Sequence, residues 1–225
     1  GEHIWKPIIK ELYRITKQGG VVVWIVADKT DKGSETGTSF KQALYFKKIG
    51  FNLHDTMIYA KNNYVPLTHN RYEQQFEYMF IFSKEKPKTF NPIMRDNKYF
   101  GNKNGGTFRH EGNTLLPKHK IGTIKEKSIR PNIWWYSVGY NKTSKNKDVY
   151  KHPAVFPEQL AKDHIISWSN KEDIVFDPFL GSGTVPYMCK QLNRQYIGIE
   201  KVAKYFEIAK KRIESVDAVQ TALEV

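Results

Sequence analysis

The chain has 225 residues, 40% of them hydrophobic and 14% aromatic, enough for a packed core in one or two domains. Its single cysteine, Cys189, excludes a disulfide framework and a cysteine-rich zinc site, and histidines such as His54, His69, His110, His119 and His164 show no ligand spacing, so no metal is expected. No signal peptide and no apolar run near 18 residues is found, so a soluble, cytoplasmic chain with no membrane contact is expected.

From the N-terminus, Ile4, Trp5, Ile8, Ile9, Leu12 and Ile15 recur at helical spacing and predict a helix over residues 4–17, stopped by Gly19 and Gly20. Residues 21–26 are a continuous apolar run, the pattern of a buried strand. Asp28 follows at the strand tip, either lining a pocket or simply forming the turn into a polar loop over 29–37. Thr38 or Ser39 is suited to cap a helix that ends at Ile49 and is closed by Gly50. Residues 51–59 and 76–82 read as strands, with a loop over 62–71 between them that carries Arg71. This alternation predicts an α/β sheet.

Residues 84–151 change character. Gly, Asn, Lys and Pro dominate, helical periodicity vanishes, and only short apolar islands such as 132–136 remain. The segment carries 16 Lys/Arg against 5 Asp/Glu, a net of +11, whereas the rest of the chain carries +2 of the total +13. With aromatic residues interleaved, that asymmetry predicts a polyanionic partner rather than a merely solvated surface. Lys118, Lys120, Lys125, Lys127, Arg130, Lys142 and Lys145, with Arg71 outside the segment, are the candidate nucleic-acid contacts. From His152 the α/β pattern resumes, giving three stretches: 1–83, a basic insert over 84–151, and 152–225.

The last stretch holds the most specific signal. Residues 174–176 read as a short buried strand ending at Asp177-Pro178, and Gly181-Ser182-Gly183-Thr184 turns into a helix over 185–192. Residues 196–199 read as the next strand, with Glu200 at its tip, where a carboxylate serves ribose hydroxyls. A phosphate-binding P-loop needs a lysine that does not follow Gly183, and a dinucleotide fingerprint needs glycine where Pro186 stands. A pyrophosphate cradle, and with it a nicotinamide-dependent dehydrogenase, is therefore disfavoured. Asp177 before the loop favours a ligand with a positive centre, a ribose and an adenine, and S-adenosyl-L-methionine is such a ligand.

The run Asp177-Pro178-Phe179-Leu180-Gly181-Ser182-Gly183-Thr184, with Glu200 after it and His152-Pro153-Ala154-Val155-Phe156-Pro157 before it, resembles the cofactor motifs of prokaryotic and phage DNA amino-methyltransferases in their permuted, beta-type order. The resemblance implies a Rossmann-like methyltransferase sheet, mostly parallel with an antiparallel edge pair, interrupted by an irregular target-recognition insert. It implies S-adenosyl-L-methionine held by Asp177, Pro178, Phe179, Gly181, Ser182, Gly183, Thr184, Glu200, Pro153 and Phe156, with His152 either touching the cofactor or only orienting the loop; Asp28, from its place at a strand tip, is a further candidate for the cofactor pocket. It also implies methylation of adenine N6 or cytosine N4 at specific sites in double-stranded DNA, as in restriction-modification or phage DNA modification. A homodimer is a candidate assembly.

One motif of that family is missing. Its catalytic tetrapeptide is Asp, Asn or Ser followed by Pro-Pro and an aromatic residue, and among ten prolines here no two are adjacent. No catalytic residue is therefore assigned. In the permuted order the tetrapeptide precedes a helix like that over 4–17, so it is expected in an N-terminal part of the parent protein. Two halves of the sheet would then lack their joining strand, leaving backbone groups short of partners. The alternative is a catalytically incomplete module that binds DNA and S-adenosyl-L-methionine.

Overall fold

The computed structural model describes all residues except 65, 67–69, 106, 110–114, 118–121, 153–154 and 224–225; for 108–109, 115–117 and 217–223 only the backbone is described. Contacts divide the chain into two compact units, Gly1–Asn91 with Asn132–Val225, and Pro92–Pro131.

The first unit opens with helix α1 (Glu2–Ile15), which buries Trp5, Ile9 and Leu12. Strand β1 (Val21–Val26) follows, then a small hairpin of β2 (Thr30–Asp31) and β3 (Ser34–Glu35), helix α2 (Thr38–Ile49), and the long strands β4 (Asn52–Lys61) and β5 (Phe76–Ser83). The core beneath them joins Trp5, Ile9 and Leu12 of α1, Ala43 and Phe46 of α2, Phe51, and Phe80 and Phe82 of β5. Phe46 and Phe82 stack with ring centroids 4.0 Å apart. Neither Thr38 nor Ser39 caps α2 with its side chain. The N-cap is Gly37, in the left-handed region at φ 62°. The capping acceptor comes instead from Asp28, whose carboxylate takes the Ser39 N–H at 3.2 Å.

The second unit is not irregular. Strands β6 (Met94–Asp96), β7 (Lys103–Asn104), β8 (Thr107–Arg109), β9 (Leu115–Pro117), β10 (Gly122–Thr123) and β11 (Lys127–Ile129) pair antiparallel as β6 with β11, β7 with β10 and β8 with β9. The described pairs nest in sequence, β8–β9 within β7–β10 within β6–β11, in the order of a β-ribbon. Its strands are two or three residues long, too short to show alternation in the sequence.

The first unit resumes with β12 (Ile133–Tyr136), a 3₁₀ turn (Lys147–Lys151), α3 (Glu158–Trp168), β13 (Ile174–Asp177), α4 (Thr184–Gln191), β14 (Gln195–Gly198) and α5 (Ala203–Leu223). Strand β12 buries Trp134 and exposes Trp135, alternating as a one-sided strand does. Ala161 and Ile165 of α3 pack on Met188 and Cys189 of α4, and Ala209 and Ile213 of α5 pack on Leu180.

The Rossmann-like α/β class holds, but the antiparallel β4–β5 pair lies inside the sheet rather than at its edge, and the expected balance of pairings does not hold. The four-stranded sheet runs β1-β5-β4-β12, with β1–β5 and β5–β4 antiparallel and only β4–β12 parallel. Strands β13 and β14 form a separate parallel pair. Among the described residues, no strand pairs with the second edge of β1 or of β13. Phe176 of β13 nonetheless packs against the core beneath β1, so these open edges belong to neighbouring parts of one unit. All six residues of β1, a run composed for full burial, are only half-buried.

Candidate functional site

The glycine loop is held by the two strands that flank it. The Leu180 N–H donates to the Ile199 carbonyl, and the Ile199 N–H donates to the Asp177 carbonyl, both at 3.0 Å. These bonds carry the parallel β13–β14 ladder beyond Asp177 and bring both strand tips to the mouth of the loop. Glu200 then fixes the loop directly. Its Oε2 accepts the Gly181 N–H at 3.0 Å, and its Oε1 accepts the Val202 N–H at 2.8 Å. Each oxygen keeps a second lone-pair direction for a ligand hydroxyl.

Gly181 and Gly183 both lie in the left-handed region, at φ 53° and 77°. A Cβ on Gly183 would stand 2.8 Å from Ala209 Cβ, so glycine there lets α5 close against the loop. A Cβ on Gly181 would stand 3.3 Å from His152 Nε2, which places the His152 ring against the loop. His152 also meets Tyr205 edge-on at 4.4 Å. Ser182 and Thr184 are buried, whereas Phe179 is 56% exposed, its ring 6.0 Å from Trp24 of β1. Phe156 contributes a carbonyl that accepts from Thr184 Oγ1 at 3.4 Å.

Burial pushes the Asp177 carboxyl above its ordinary range; the Phe179 N–H at 2.9 Å draws it back, and the nearby Glu200 carboxylate pushes it up again. A partly desolvated acid pair of this kind favours a cationic ligand, which relieves both the burial cost and the mutual repulsion. The loop thus fits the ligand class expected for it: two carboxylates at the strand tips, glycines where side chains would intrude, and an exposed aromatic ring. Cys189 is buried and its thiol is pushed up to about 12, first by burial and then by Asp177, so it is no nucleophile.

The structure brings Asp177, Pro178, Phe179, Gly181, Ser182, Gly183, Thr184, Glu200, His152 and Phe156 into one region of the first unit; Pro153 lies outside the described residues. Asp28 is occupied by α2. Burial would raise its carboxyl, but hydrogen bonds from Ser39, Thr38 and Thr36 outweigh this and hold it below the ordinary value. Arg71 is exposed and donates to the Gly33 carbonyl of the β2–β3 hairpin. Of the basic candidates, Lys125 and Lys127 are exposed on the returning arm of the ribbon and Arg130 is partly buried. Lys142 and Lys145 are exposed in the first unit, while Lys118 and Lys120 lie outside the described residues.

Sequence reading missed Arg212. This arginine of α5 is 2% exposed, and its Nη1 donates to the Ser182 carbonyl and Thr184 Oγ1, each at 3.0 Å. Nη2 pairs with Glu158 of α3 at 2.5 Å, and the guanidinium lies 4.7 Å from the Tyr187 ring centroid. No local signal marks it, since a lone arginine among the lysines of a helix reads as surface.

A family model described as DNA methylase, for the N6/N4 type, matches residues 3–211. The orphan methyltransferase M.BamHII of Bacillus amyloliquefaciens is 54% identical over 209 residues, covering 92% of this chain and 79% of the relative. The type II methyltransferase M.HinfI of Haemophilus influenzae is 28% identical, covering 92% of this chain and 50% of that protein. Among solved structures, the M1.HpyAVI–SAM complex superposes with a TM-score of 0.63 at 25% identity, covering 95% of this chain and 84% of the other. The cytosine-N4-specific PvuII DNA methyltransferase shares the fold, with a TM-score of 0.68 at 18% identity over 94% of this chain and 71% of its own.

Proposed function

Because this chain belongs to the N6/N4 DNA methylase family, we propose how its residues divide the work of that family's reaction. The reaction moves a methyl group from S-adenosyl-L-methionine to an exocyclic amino group of adenine or cytosine in DNA, at specific sites. Bound cofactor supplies an electrophilic methyl on a positive sulfur, and the residues of this chain bind and orient it. Glu200 takes the ribose hydroxyls with the lone pairs that Gly181 and Val202 leave open. Asp177 faces the cationic end, and Phe179 offers an apolar face to the adenine. His152 braces the loop at Gly181. The observation that carries this assignment is the Glu200–Gly181 bond, which locks the ribose acid to the glycine loop between two parallel strands.

Lys125, Lys127, Arg130, Lys142 and Lys145 are proposed to meet the phosphates of double-stranded DNA, which positions the duplex without reading its sequence. Arg71, Lys118 and Lys120 are proposed as further contacts. The open edges of β1 and β13 suit a further strand, and the strand carrying the Pro-Pro-aromatic tetrapeptide is proposed to pair there. A cytoplasmic protein is the accompanying proposal, consistent with the lack, among the described residues, of any helix long and apolar enough to cross a membrane. A homodimer is likewise proposed. The incomplete binding module is not favoured, since family membership extends across nearly the whole chain.

The test is calorimetry with the complete protein. S-adenosyl-L-methionine is expected to bind and NAD not to bind, with Glu200→Ala abolishing detectable cofactor binding while the protein stays folded. Binding of NAD alone, or undiminished cofactor binding by Glu200→Ala, overturns the assignment.

A further inference from the structure

The β-ribbon carries a feature that neither the cofactor site nor the phosphate contacts use. Pro92–Pro131 holds nine Lys/Arg and three Asp/Glu, and its ladder is interrupted between the Asp96–Lys127 and Lys103–Thr123 pairs. Six residues on the outgoing arm, Asn97 to Asn102, face three on the return, Ile124 to Glu126. The excess is folded into a hydrogen-bonded turn. The Phe100 N–H donates to the Asn97 carbonyl at 3.2 Å, and the Asn102 N–H donates to the Tyr99 carbonyl at 3.2 Å. The Asn97 N–H donates to the Glu126 carbonyl at 2.8 Å, and the Gly101 N–H donates to the Ile124 carbonyl at 3.0 Å. The Asn97 side chain locks the base of the turn, donating to the Lys125 carbonyl at 2.8 Å and accepting from Ser128 Oγ at 2.9 Å. Gly101 sits at φ 83°, where a side chain would be strained.

What this turn presents is Tyr99 and Phe100, 59% and 62% exposed, flanked by the exposed Lys98, Lys103, Lys125 and Lys127. Lys98 Nζ lies 5.6 Å from the Tyr99 ring centroid. Two adjacent rings are thus left more than half open to a partner. Backbone and side-chain bonds nevertheless hold their turn in one shape, so little order has to be gained when the rings meet a partner. Aromatic faces framed by cations match nucleic-acid bases framed by phosphates.

We propose that Tyr99 and Phe100 form a wedge that stacks on duplex bases left exposed when the target nucleotide is extruded. The proposal rests on the DNA-methylating function above. A planar amino group buried in a base-paired stack is reached only by opening the stack, and an aromatic wedge recovers part of the lost stacking. The lysines around it hold the backbone, while the rings hold the opened step.

The test uses the complete methyltransferase, after its modified sites have been mapped by sequencing DNA from cells that express it. Affinity is measured for three duplexes: the site, a scrambled control, and the site with an abasic position opposite the target base, which removes the unpairing cost. The Tyr99→Ala/Phe100→Ala variant is expected to bind the site duplex about tenfold more weakly. The abasic duplex is expected to restore wild-type affinity, and the control duplex to keep its affinity and salt dependence. A Tyr99→Phe/Phe100→Tyr exchange, which keeps both rings, is expected to behave as wild type and guards against misfolding. Unchanged site affinity, equal loss on all three duplexes, or a loss that the abasic position does not relieve overturns the wedge. A wild-type protein that binds none of the duplexes overturns the DNA reading of the ribbon as well.

Discussion

At Asp177 the environment raises the carboxyl, so the charged form is disfavoured in the folded chain. A carboxyl with a raised folded pKa binds its proton more tightly when folded. The cofactor-free protein therefore loses stability as pH rises from the ordinary carboxylate range through the raised value, and carries a constant penalty above it. Asp177→Asn removes the charge but keeps an oxygen to accept the Phe179 N–H. The variant should melt at a higher temperature than wild type at neutral pH, while binding S-adenosyl-L-methionine at least about tenfold more weakly through loss of a charge-assisted contact. In the wild type, cofactor affinity should fall as pH is lowered through the same window. A lower melting temperature for Asp177→Asn, read by calorimetry, would mean that the carboxylate is structural. Gly183 is a steric case rather than an electrostatic one. Gly183→Ala combines a left-handed backbone with a Cβ 2.8 Å from Ala209 Cβ and should cost about 2 to 4 kcal/mol. Gly181→Ala, whose Cβ comes nearest to His152 Nε2 at 3.3 Å, should cost about 1 to 2 kcal/mol, and urea denaturation separates the two.

At the scale of elements, Arg212 ties α5 to α3 and to the start of α4 in a buried network. It holds the Ser182 carbonyl and the Thr184 hydroxyl, while Glu158 answers its charge and also accepts from Ser144 Oγ. Burial pulls the Arg212 guanidinium below its ordinary value, and the Glu158 carboxylate opposes that shift. Arg212→Met leaves Glu158 facing an apolar neighbour and should cost about 3 kcal/mol. Arg212→Met/Glu158→Leu should recover at least half of this, since an apolar pair avoids the desolvation that the ion pair bears. Additive losses in chemical denaturation would show that the two side chains act independently. Strand β1 reports a different element-scale effect. Its sequence, Val-Val-Val-Trp-Ile-Val, suits a strand with neighbours on both edges, yet among the described residues only β5 pairs with it.

Over the whole molecule, the charge excess falls on parts of both units, with Lys125 and Lys127 on the ribbon and Lys142 and Lys145 outside it. Replacing these four lysines with glutamine should flatten the salt dependence of DNA binding, lowering the slope of log K against log salt by about 3.6. An unchanged slope would show that they are solvated surface. How much of this organisation was legible in the sequence depended on the range of the forces involved. Helix α2, strand β1 and the β13–loop–α4–β14 succession could be read because apolar periodicity and glycine punctuation act within a few residues. The ribbon could not, because its register joins residues such as Met94 and Ile129 through strands of two or three residues. Nor could the capping of α2 by Asp28 or the pairing of Arg212 with Glu158, because those contacts exist only once distant elements pack. The parallel docking of β12 on β4 was hidden for the same reason.

The sequence by itself determined the chemistry of the cofactor loop. The ligand-binding roles proposed for Asp177, the two glycines and Glu200 rest on charge and steric permission, which are properties of the residues. The uneven charge likewise pointed to a polyanion before any fold was known. Only the tertiary structure decided how the loop is held, that part of the basic segment pairs into a ribbon presenting two aromatic rings, and that among the described residues β1 and β13 each keep an open edge. These depend on which backbone groups find partners far along the chain, and hydrogen-bond satisfaction across a fold is not written in any local run of residues.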